Sequence, residues 1–256
     1  MSGGRGPVVS SRSFARVRFA RGAHGETVVE DTRSSGALTF RATDGGVWMV
    51  GAAAHPIGGD ILSVQVTVGA ECAASVRSAS ATLARRGPPS GSGPSFMLTT
   101  VRIGRNASLA WTPEPGIGAC GSDHLNETRV RMHPDAHLMW RDEFVVGRHG
   151  EDPGTWRSRL RITVGKTVVL SSEASAGPAA PGWSSRSVLA GARAVSTLVV
   201  IDPRLDLCRA SHTSRESASA VALPLARPGV QITAWGDDLS DCRGAAESLA
   251  APLKVV

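Results

Sequence analysis

Apolar and polar residues alternate along much of this chain. From Leu62 to Val68 every second residue is leucine or valine, and the residues between them are Ser, Gln and Thr. A period of two gives an extended strand one apolar face, whereas a helix needs a period near 3.6. The same pattern predicts strands at Arg16–Ala20, Val47–Val50, Phe96–Ile103, Thr128–Met132, His137–Val146, Trp156–Val164 and Thr167–Ala174. The chain is therefore predicted to be mostly β.

A short pattern recurs three times, each time after a predicted strand. It consists of a turn residue, an alanine, and apolar residues two and four positions after that alanine. The three copies are Gly69–Ala74, Asn106–Trp111 and Asp135–Trp140. Repeats of this kind indicate units that bury a continuous core between neighbours. The predicted fold class is mostly β, with stacked, β-helix-like layers of strands.

Two stretches rich in Pro, Gly and Ser interrupt the pattern at residues 87–94 and 176–182. Both are predicted loops, because Pro and Gly disfavour helices and interior strands. The C-terminal third combines two predicted strands, Val195–Ile201 and Val230–Ala234, with a helix that Asp237-Asp238 can cap. One face of that helix carries Leu239, Cys242, Ala246 and Leu249. A small C-terminal α/β portion is therefore expected to pack on the β body.

The composition is that of a folded chain. Of its 256 residues, 41% are hydrophobic and 20% are charged, which is too apolar for a disordered protein. We predict a disordered segment at 1–13 and a single domain at 14–252. In that domain the β body covers about 14–175 and the α/β portion about 187–252. No apolar run approaches the roughly 20 residues of a membrane span, and no signal segment is visible, so a cytoplasmic protein without membrane contact is expected.

The positive charge changes this picture little. The net charge is +6, and all but two of the 28 basic residues are arginine, scattered along the chain without a tyrosine among them. A basic stripe interleaved with aromatic residues would favour nucleic acid as a partner. The scatter predicts no nucleic-acid partner, and an Arg-rich β-protein that binds nucleic acid stays open as the alternative function.

Motifs typical of enzymes are weak. Gly165-Lys166-Thr167 ends like a phosphate-binding loop, but Leu160 stands where that loop needs glycine and a strand follows, so a hairpin turn is predicted. Cys120 and His124 lie in one loop and could bind nickel or zinc in a small metalloenzyme, although a single Cys/His pair favours a polar turn. No catalytic residue and no tightly bound cofactor are predicted.

Several motifs, taken in order, resemble the UreD (UreH) family of urease accessory proteins between Phe14 and Leu249. The most recognisable is a turn that ends in Gly58-Gly59-Asp60. The other segments that carry the resemblance are Ala15–Phe19, Gly36–Phe40, Leu109–Ile117 with its Pro-Glu pair, Asp142–Arg148 with its Gly-Arg pair, Ala222–Leu225 and Trp235–Asp238. Ala52–Ala54 departs from the family, which often has more glycine before this turn.

The resemblance implies a β-rich fold with a couple of helices and a non-enzymatic, cytosolic scaffold. It also implies that the scaffold works with UreF and the UreG GTPase on apo-urease and assists nickel insertion. A transit protein should hold nickel(II) only transiently, and oxygen ligands bind it more weakly than a Cys/His cage. We therefore hypothesise that Asp60, Glu114 and Asp142 line a nickel passage. The structural motifs that the resemblance assigns are Gly58, Gly59, Gly147 and Arg148.

Overall fold

A computed structural model describes residues 11–43, 46–88, 93–205, 211–214 and 217–251. The strands in chain order are β1 (Arg12–Arg21), β2 (Thr27–Ser35), β3 (Leu38–Thr43), β4 (Gly46–Gly51), β5 (Ile61–Val68), β6 (Ala73–Ser78), β7 (Thr82–Ala84), β8 (Ser95–Ile103), β9 (Ser108–Thr112), β10 (Gly116–Gly118), β11 (Asp123–Met132), β12 (His137–Val146), β13 (Thr155–Val164), β14 (Thr167–Ala176), β15 (Ala194–Ile201), β16 (Ser211–Ser214), β17 (Ala218–Pro224) and β18 (Gly229–Gly236). They are followed by a helix, α1 (Leu239–Ala250).

The strands form two sheets. The first has the order β14-β13-β11-β8-β5-β1-β2, and its strands from β13 to β1 are parallel. The second has the order β16-β17-β18-β15-β12-β9-β6-β4-β3, and its strands from β12 to β4 are parallel. Between the parallel parts of the two sheets the chain passes from the first sheet to the second at β5 to β6, at β8 to β9 and at β11 to β12, and it also passes from β2 to β3 and from β14 to β15. The predicted stacked, mostly β fold is thus confirmed as a β-solenoid-like arrangement.

Each copy of the predicted repeat spans a turn between the two sheets and the first residues of a strand of the second sheet, which is β6, β9 or β12. The second and third copies pair in the expected register, with Leu109 opposite Leu138 and Trp111 opposite Trp140. The first copy is shifted by two residues from the predicted alignment, because Leu109 pairs with Ala74 and Trp111 with Val76. A shift of two keeps the same strand face toward the core. The apolar pattern of the repeat therefore matches the observed face in all three copies, and the observed register between the second and third copies only.

The hydrophobic core lies between the sheets. One cluster of buried residues combines Val64, Val101 and Ile162 of the first sheet with Leu109 and Trp140 of the second. The rings of Trp111 and Trp140 stack with their centroids 4.7 Å apart. Burial of each such side chain stabilises the fold by roughly 1.5–3 kcal/mol, so the stacked strands are held mainly by this shared interior.

The edges of the predicted elements differ from the observed ones where the alternation fades. Strand β1 begins at Arg12, so two residues of the predicted disordered segment 1–13 belong to a strand, and residues 1–10 of that segment lie outside the described residues. The pattern did not predict β2, because this edge strand is largely exposed and lacks an apolar face. Strand β11 begins five residues before the predicted start, at Asp123.

The C-terminal portion contains the predicted helix. Asp238 caps it, with its carboxylate accepting from the Ser240 amide at 2.7 Å. The buried residues Cys242 and Ala246 pack against β15, β17 and β18 on the outer face of the second sheet. Among the described residues α1 is the single α-helix, where the resemblance implied a couple, and no helix there is long and apolar enough to cross a membrane.

Candidate functional site

Asp60 lies in the glycine-rich turn before β5 and is buried, with a relative exposure of 4%. Its carboxylate accepts the amide of Ser11 at 3.0 Å and the amide of Ile57 at 2.8 Å, and it also contacts Nδ1 of His55. Burial alone would raise the pKa of Asp60, but the hydrogen bonds from Ile57, His55 and Ser11 outweigh it and hold the pKa below its usual value. Asp60 is therefore an ionised anchor of this turn.

The two glycines before Asp60 connect the turn to neighbouring segments. The amide of Gly58 donates to the carbonyl of Arg85 at 3.1 Å, and the amide of Gly59 donates to the carbonyl of Pro94 at 3.3 Å. Gly59 has a φ of +91°, a conformation that side chains disfavour. The Gly-Gly pair thus holds the turn between β7 and β8.

The second glycine motif shapes the loop after β12. Gly147 has a φ of +84°, and its amide donates to the carbonyl of Gly118 at 2.7 Å. A Cβ atom there would lie 2.1 Å from Nη2 of Arg193. Arg148 is exposed and makes a bidentate ion pair with Glu151, with both contacts at 2.9 Å. This pair closes the loop from outside.

Asp142 faces the interior, on the same side of β12 as the buried Trp140. Its carboxylate accepts from the side-chain amide of Asn126 at 3.3 Å and from the hydroxyl of Ser158, both on the first sheet. Burial raises the pKa of Asp142, the nearby Glu143 carboxylate adds to the rise, and the two hydrogen bonds offset part of it. Only two side-chain donors reach this inward-facing carboxyl group within the described residues, so its charged form is poorly compensated there.

Glu143 points the opposite way, toward α1. Its side chain is 1% exposed and accepts both Nε and Nη2 of Arg243, at 2.9 Å and 2.6 Å, and the hydroxyl of Ser196 at 2.8 Å. Arg243 also lies 3.7 Å from the carboxylate of Glu114, whose side chain is half exposed. The guanidinium therefore links α1 to two of the acidic side chains around Asp142.

Three cavities lie next to one another between these groups. The first has a volume of about 250 Å³ and is lined by residues that include His55, Ser78 and Arg85. The second, of about 30 Å³, is lined by residues that include Glu114, Asn126 and Asp142. The third, of about 140 Å³, is lined by residues that include Asp142, Ser158 and Glu173.

Neighbouring cavities share walls. Met49, Thr82 and Met97 line both the first and the second cavity, and Asp142 lines both the second and the third. The two methionines are buried, and their unbranched side chains adapt readily to a changed volume. The three cavities thus form a row that crosses the space between the sheets, with Asp142 on the wall between two of them.

The structure brings together two of the three acidic residues predicted to line a passage. Glu114 and Asp142 line the second cavity, whereas Asp60 lines none of the three. Asp60 instead contacts His55, and His55 lines the first cavity. No role was predicted for His55 from the sequence. The signal that could have pointed to it is its position in the glycine-rich turn, five residues before Asp60.

The alternative metal cluster around Cys120 does not come together. Cys120 is exposed, whereas His124 is fully buried, bonded through Nδ1 to the Ser95 hydroxyl at 2.8 Å and packed on the ring of Trp156. Burial, with a contribution from Arg157, lowers the pKa of His124 to about 3, so the ring is neutral. Across the described part of the chain, no group of three or more His, Cys, Asp or Glu residues could hold a metal ion.

The predicted hairpin at Gly165 is confirmed. Gly165 has a φ of +60° and joins the antiparallel pair β13 and β14, so no helix follows Lys166. The arginines are spread over both sheets, the loops and α1, and several form ion pairs, as Arg157 does with Asp123 at 2.6 Å and Arg159 with Glu173 at 2.7 Å. Neither feature forms a phosphate site of the kind that nucleotide-binding loops provide.

Fold and site together define a β-solenoid-like protein whose inward polar groups line a row of cavities. The family model described as "UreD urease accessory protein" matches residues 11–255. The chain belongs to the UreD family, and the resemblance found in its motifs is confirmed.

Proteins named urease accessory protein UreD are similar along most of their length. One from Streptomyces avermitilis is 36% identical over 234 residues, which cover 89% of this chain and 91% of the relative. One from Streptomyces coelicolor is 37% identical over 233 residues, with 89% and 91% covered. A third, UreD 3 of Streptomyces griseus, is 36% identical over 244 residues, with 92% and 94% covered. Family membership supports a role in urease maturation.

Proposed function

We propose that this chain is a cytoplasmic urease maturation factor without catalytic activity of its own. It serves as a scaffold that, with a UreF-type protein and a UreG-type GTPase, binds apo-urease while nickel is inserted. The observation that carries the proposal is the match to the UreD family over residues 11–255, with relatives similar along nearly their whole length. The hairpin at Gly165, in place of a phosphate-binding loop, agrees with GTP hydrolysis by a partner.

The row of cavities supports a route for nickel through this protein. Nickel(II) is the cargo, so it must be bound weakly enough to leave. The second cavity offers the carboxylates of Glu114 and Asp142 and the amide oxygen of Asn126, all oxygen ligands. Because the Asp142 side chain also lines the third cavity, one carboxylate can face an ion on either side of the narrowest part.

The scaffold role is tested by co-purification. The full chain, carrying an affinity tag, is expressed together with the urease subunits and the UreF-type and UreG-type proteins in nickel-free medium. We expect apo-urease and both accessory proteins to be retained at 150 mM salt, roughly physiological ionic strength. Retention of none of them, with the tagged chain soluble and folded, would overturn the proposal.

The route is tested by two matched carboxylate substitutions. Asp142→Asn replaces one oxygen ligand of the cavities with an amide nitrogen and is expected to lower the nickel content of urease several-fold while partner binding stays normal. Asp60→Asn removes an anchor outside the cavities and is expected to act first on stability, because three hydrogen bonds to a carboxylate weaken together. The measurements are nickel per urease and the thermal midpoint of each variant. Full nickel loading by Asp142→Asn would exclude Asp142 from the route.

A further inference from the structure

Three exposed arginines lie close together on the outer face of the first sheet. Arg102 is on β8, Arg131 on β11 and Arg161 on β13, and β11 lies between the other two strands. Each arginine stands between two buried apolar residues of its own strand, so its side chain points away from the core. The fold therefore gathers on adjacent strands three arginines that are far apart in the sequence, and we call them the basic patch.

The register of the parallel strands places like charges side by side. Arg131 is directly opposite Arg102, and Arg161 is directly opposite Arg129. Neighbouring strands lie about 4.8 Å apart, so the side chains of each pair start from backbones in direct contact. Neighbouring like charges destabilise a sheet, because their repulsion is not offset.

Ion pairs within the chain relieve only part of this repulsion. Glu127 pairs with Arg129 at 2.6 Å. Among the described residues, no carboxylate lies within ion-pair distance of Arg102, Arg131 or Arg161. The basic patch thus carries three charges that this part of the chain leaves without a counter-charge.

An apolar edge adjoins the basic patch. Leu98 is on the same face of β8, four residues before Arg102, and its side chain is 38% exposed. Phe96, on the same face again, is half-buried. Protein interfaces are enriched in arginine and aromatic residues, and the planar guanidinium matches a carboxylate with two parallel hydrogen bonds. The composition of this face is therefore that of a protein interface.

Nucleic acid fits this surface less well. The residues directly opposite the outer sides of the basic patch are Thr67, Thr163 and Ser171, and none of them is aromatic. Single strands are bound by aromatic side chains on which the bases stack. Proteins that bind a duplex commonly contact roughly 6–10 phosphates, more than three arginines can neutralise. Carboxylates of a protein are the better match.

We propose that the basic patch is a docking surface for an acidic patch on a protein partner. Carboxylates of the partner would accept charge-assisted hydrogen bonds from the guanidinium groups and replace the repulsion between them with attraction. The assignment of this surface to urease maturation rests on the proposed function. It adds to that function a face and a charge for one of the contacts with apo-urease or an accessory protein.

The test uses the tagged full chain, co-expressed with the urease subunits and the UreF-type and UreG-type proteins. A triple variant, Arg102→Thr with Arg131→Thr and Arg161→Thr, removes the basic patch and keeps residues that favour strands. At roughly 150 mM salt we expect the retained amount of at least one partner to fall about tenfold. The thermal midpoint should equal or exceed that of the wild type, because like-charged neighbours are gone, and this separates a lost contact from a lost fold.

A control variant removes the same charge elsewhere. Arg41→Thr, Arg186→Thr and Arg227→Thr are combined, since these arginines are exposed and lie outside the first sheet. This variant should retain its partners as the wild type does. If the triple variant does not fold, Arg131→Thr alone replaces it, because Arg131 lies on the central strand of the basic patch.

Four results would count against the proposal. Equal retention of every partner by the wild type and the triple variant would overturn it alone, and so would an equal loss in the control variant, since net charge would then be the cause. Unchanged partners with loss of binding to a short DNA duplex would assign the surface to nucleic acid instead. Retention of no partner by the wild type would overturn the proposed function and this docking surface with it.

Discussion

At the scale of single residues, the loop after β12 depends on a missing side chain. Gly147 and Gly150 both have positive φ, of +84° and +70°. A Cβ atom at Gly147 would lie 2.1 Å from Arg193 Nη2 and 2.9 Å from the carbonyl of Glu151, whereas none of the surrounding atoms lies within 4 Å at Gly150. A comparison of substitutions at the two positions therefore separates the cost of backbone strain from the cost of close packing.

Gly147→Ala is expected to destabilise the fold more than Gly150→Ala does. Both substitutions share the cost of a left-handed backbone, about 1 kcal/mol. Only Gly147→Ala adds overpacking against Arg193 and Glu151, which costs roughly 1–3 kcal/mol more. Urea unfolding of the two variants measures the difference directly. Equal midpoints would show that the loop can relax around a methyl group.

Ionised carboxylates also set the stability in acid. The hydrogen bond from Arg148 is the main cause that lowers the pKa of Glu151 from 4.5 to about 2. A carboxyl with a depressed folded-state pKa contributes stability above its unfolded pKa, and that contribution is lost as the pH falls to the folded value. Asp202, whose pKa Arg204 lowers to about 2, acts in the same direction.

The thermal midpoint should therefore fall as the pH drops from about 4.5 to about 2, the window set by the two pKa values of Glu151. In Glu151→Gln the midpoint should already be lower at neutral pH and should change less across this window. Calorimetric scans at half-unit pH steps would test the slope. A slope in Glu151→Gln as steep as in the wild type would mean that the Arg148 pair contributes nothing to acid stability.

At the scale of elements, α1 is attached to the second sheet by an apolar face and one buried ion pair. Cys242 and Ala246 pack on the sheet, and Arg243 reaches Glu143 on β12. Removal of one member of a buried pair leaves the other charge without a partner, which costs about 3–5 kcal/mol. An exposed pair costs at most about 1 kcal/mol.

Arg243→Ala should thus destabilise the protein by about 3 kcal/mol. Arg141→Ala is the control, because Arg141 pairs with the exposed Glu247 at 3.2 Å on the same helix. The double variant Arg243→Ala, Glu143→Gln should recover part of the loss, since the buried charge is gone. Denaturant unfolding provides all three values. A loss in Arg243→Ala no larger than in Arg141→Ala would contradict the account of how α1 is held.

The sequence predicted the elements where alternation is strong and missed them elsewhere. The bounds of β12 and the cap of α1 at Asp238 were both predicted. Strand β2 carries no apolar face to recognise, because it lies at an edge with exposed residues. The inward direction of the Asp142 side chain follows from the sequence, because Asp142 is two residues from Trp140 on the same strand. Its hydrogen-bond partners do not follow from the sequence, because they lie on other strands whose register no local pattern specifies.

At the scale of the whole molecule, the predicted site divides into two parts. Glu114 and Asp142 meet at a cavity as the passage hypothesis requires, and Asp60 lies outside the row behind His55. Contacts such as Arg243 with Glu143 join residues 100 positions apart, so sequence spacing gave no sign of them. The family motifs located the important turns, and the sheets determine what those turns bring together.

The proposed function requires that this chain enables nickel to enter urease. The most direct measurement is the nickel content of urease purified from cells that express its subunits and the other accessory proteins, with and without this chain. We expect nickel-filled urease only when the chain is present. Equal nickel contents in both cultures would contradict it, and the arginine-rich surface would then be tested for salt-dependent binding of nucleic acid.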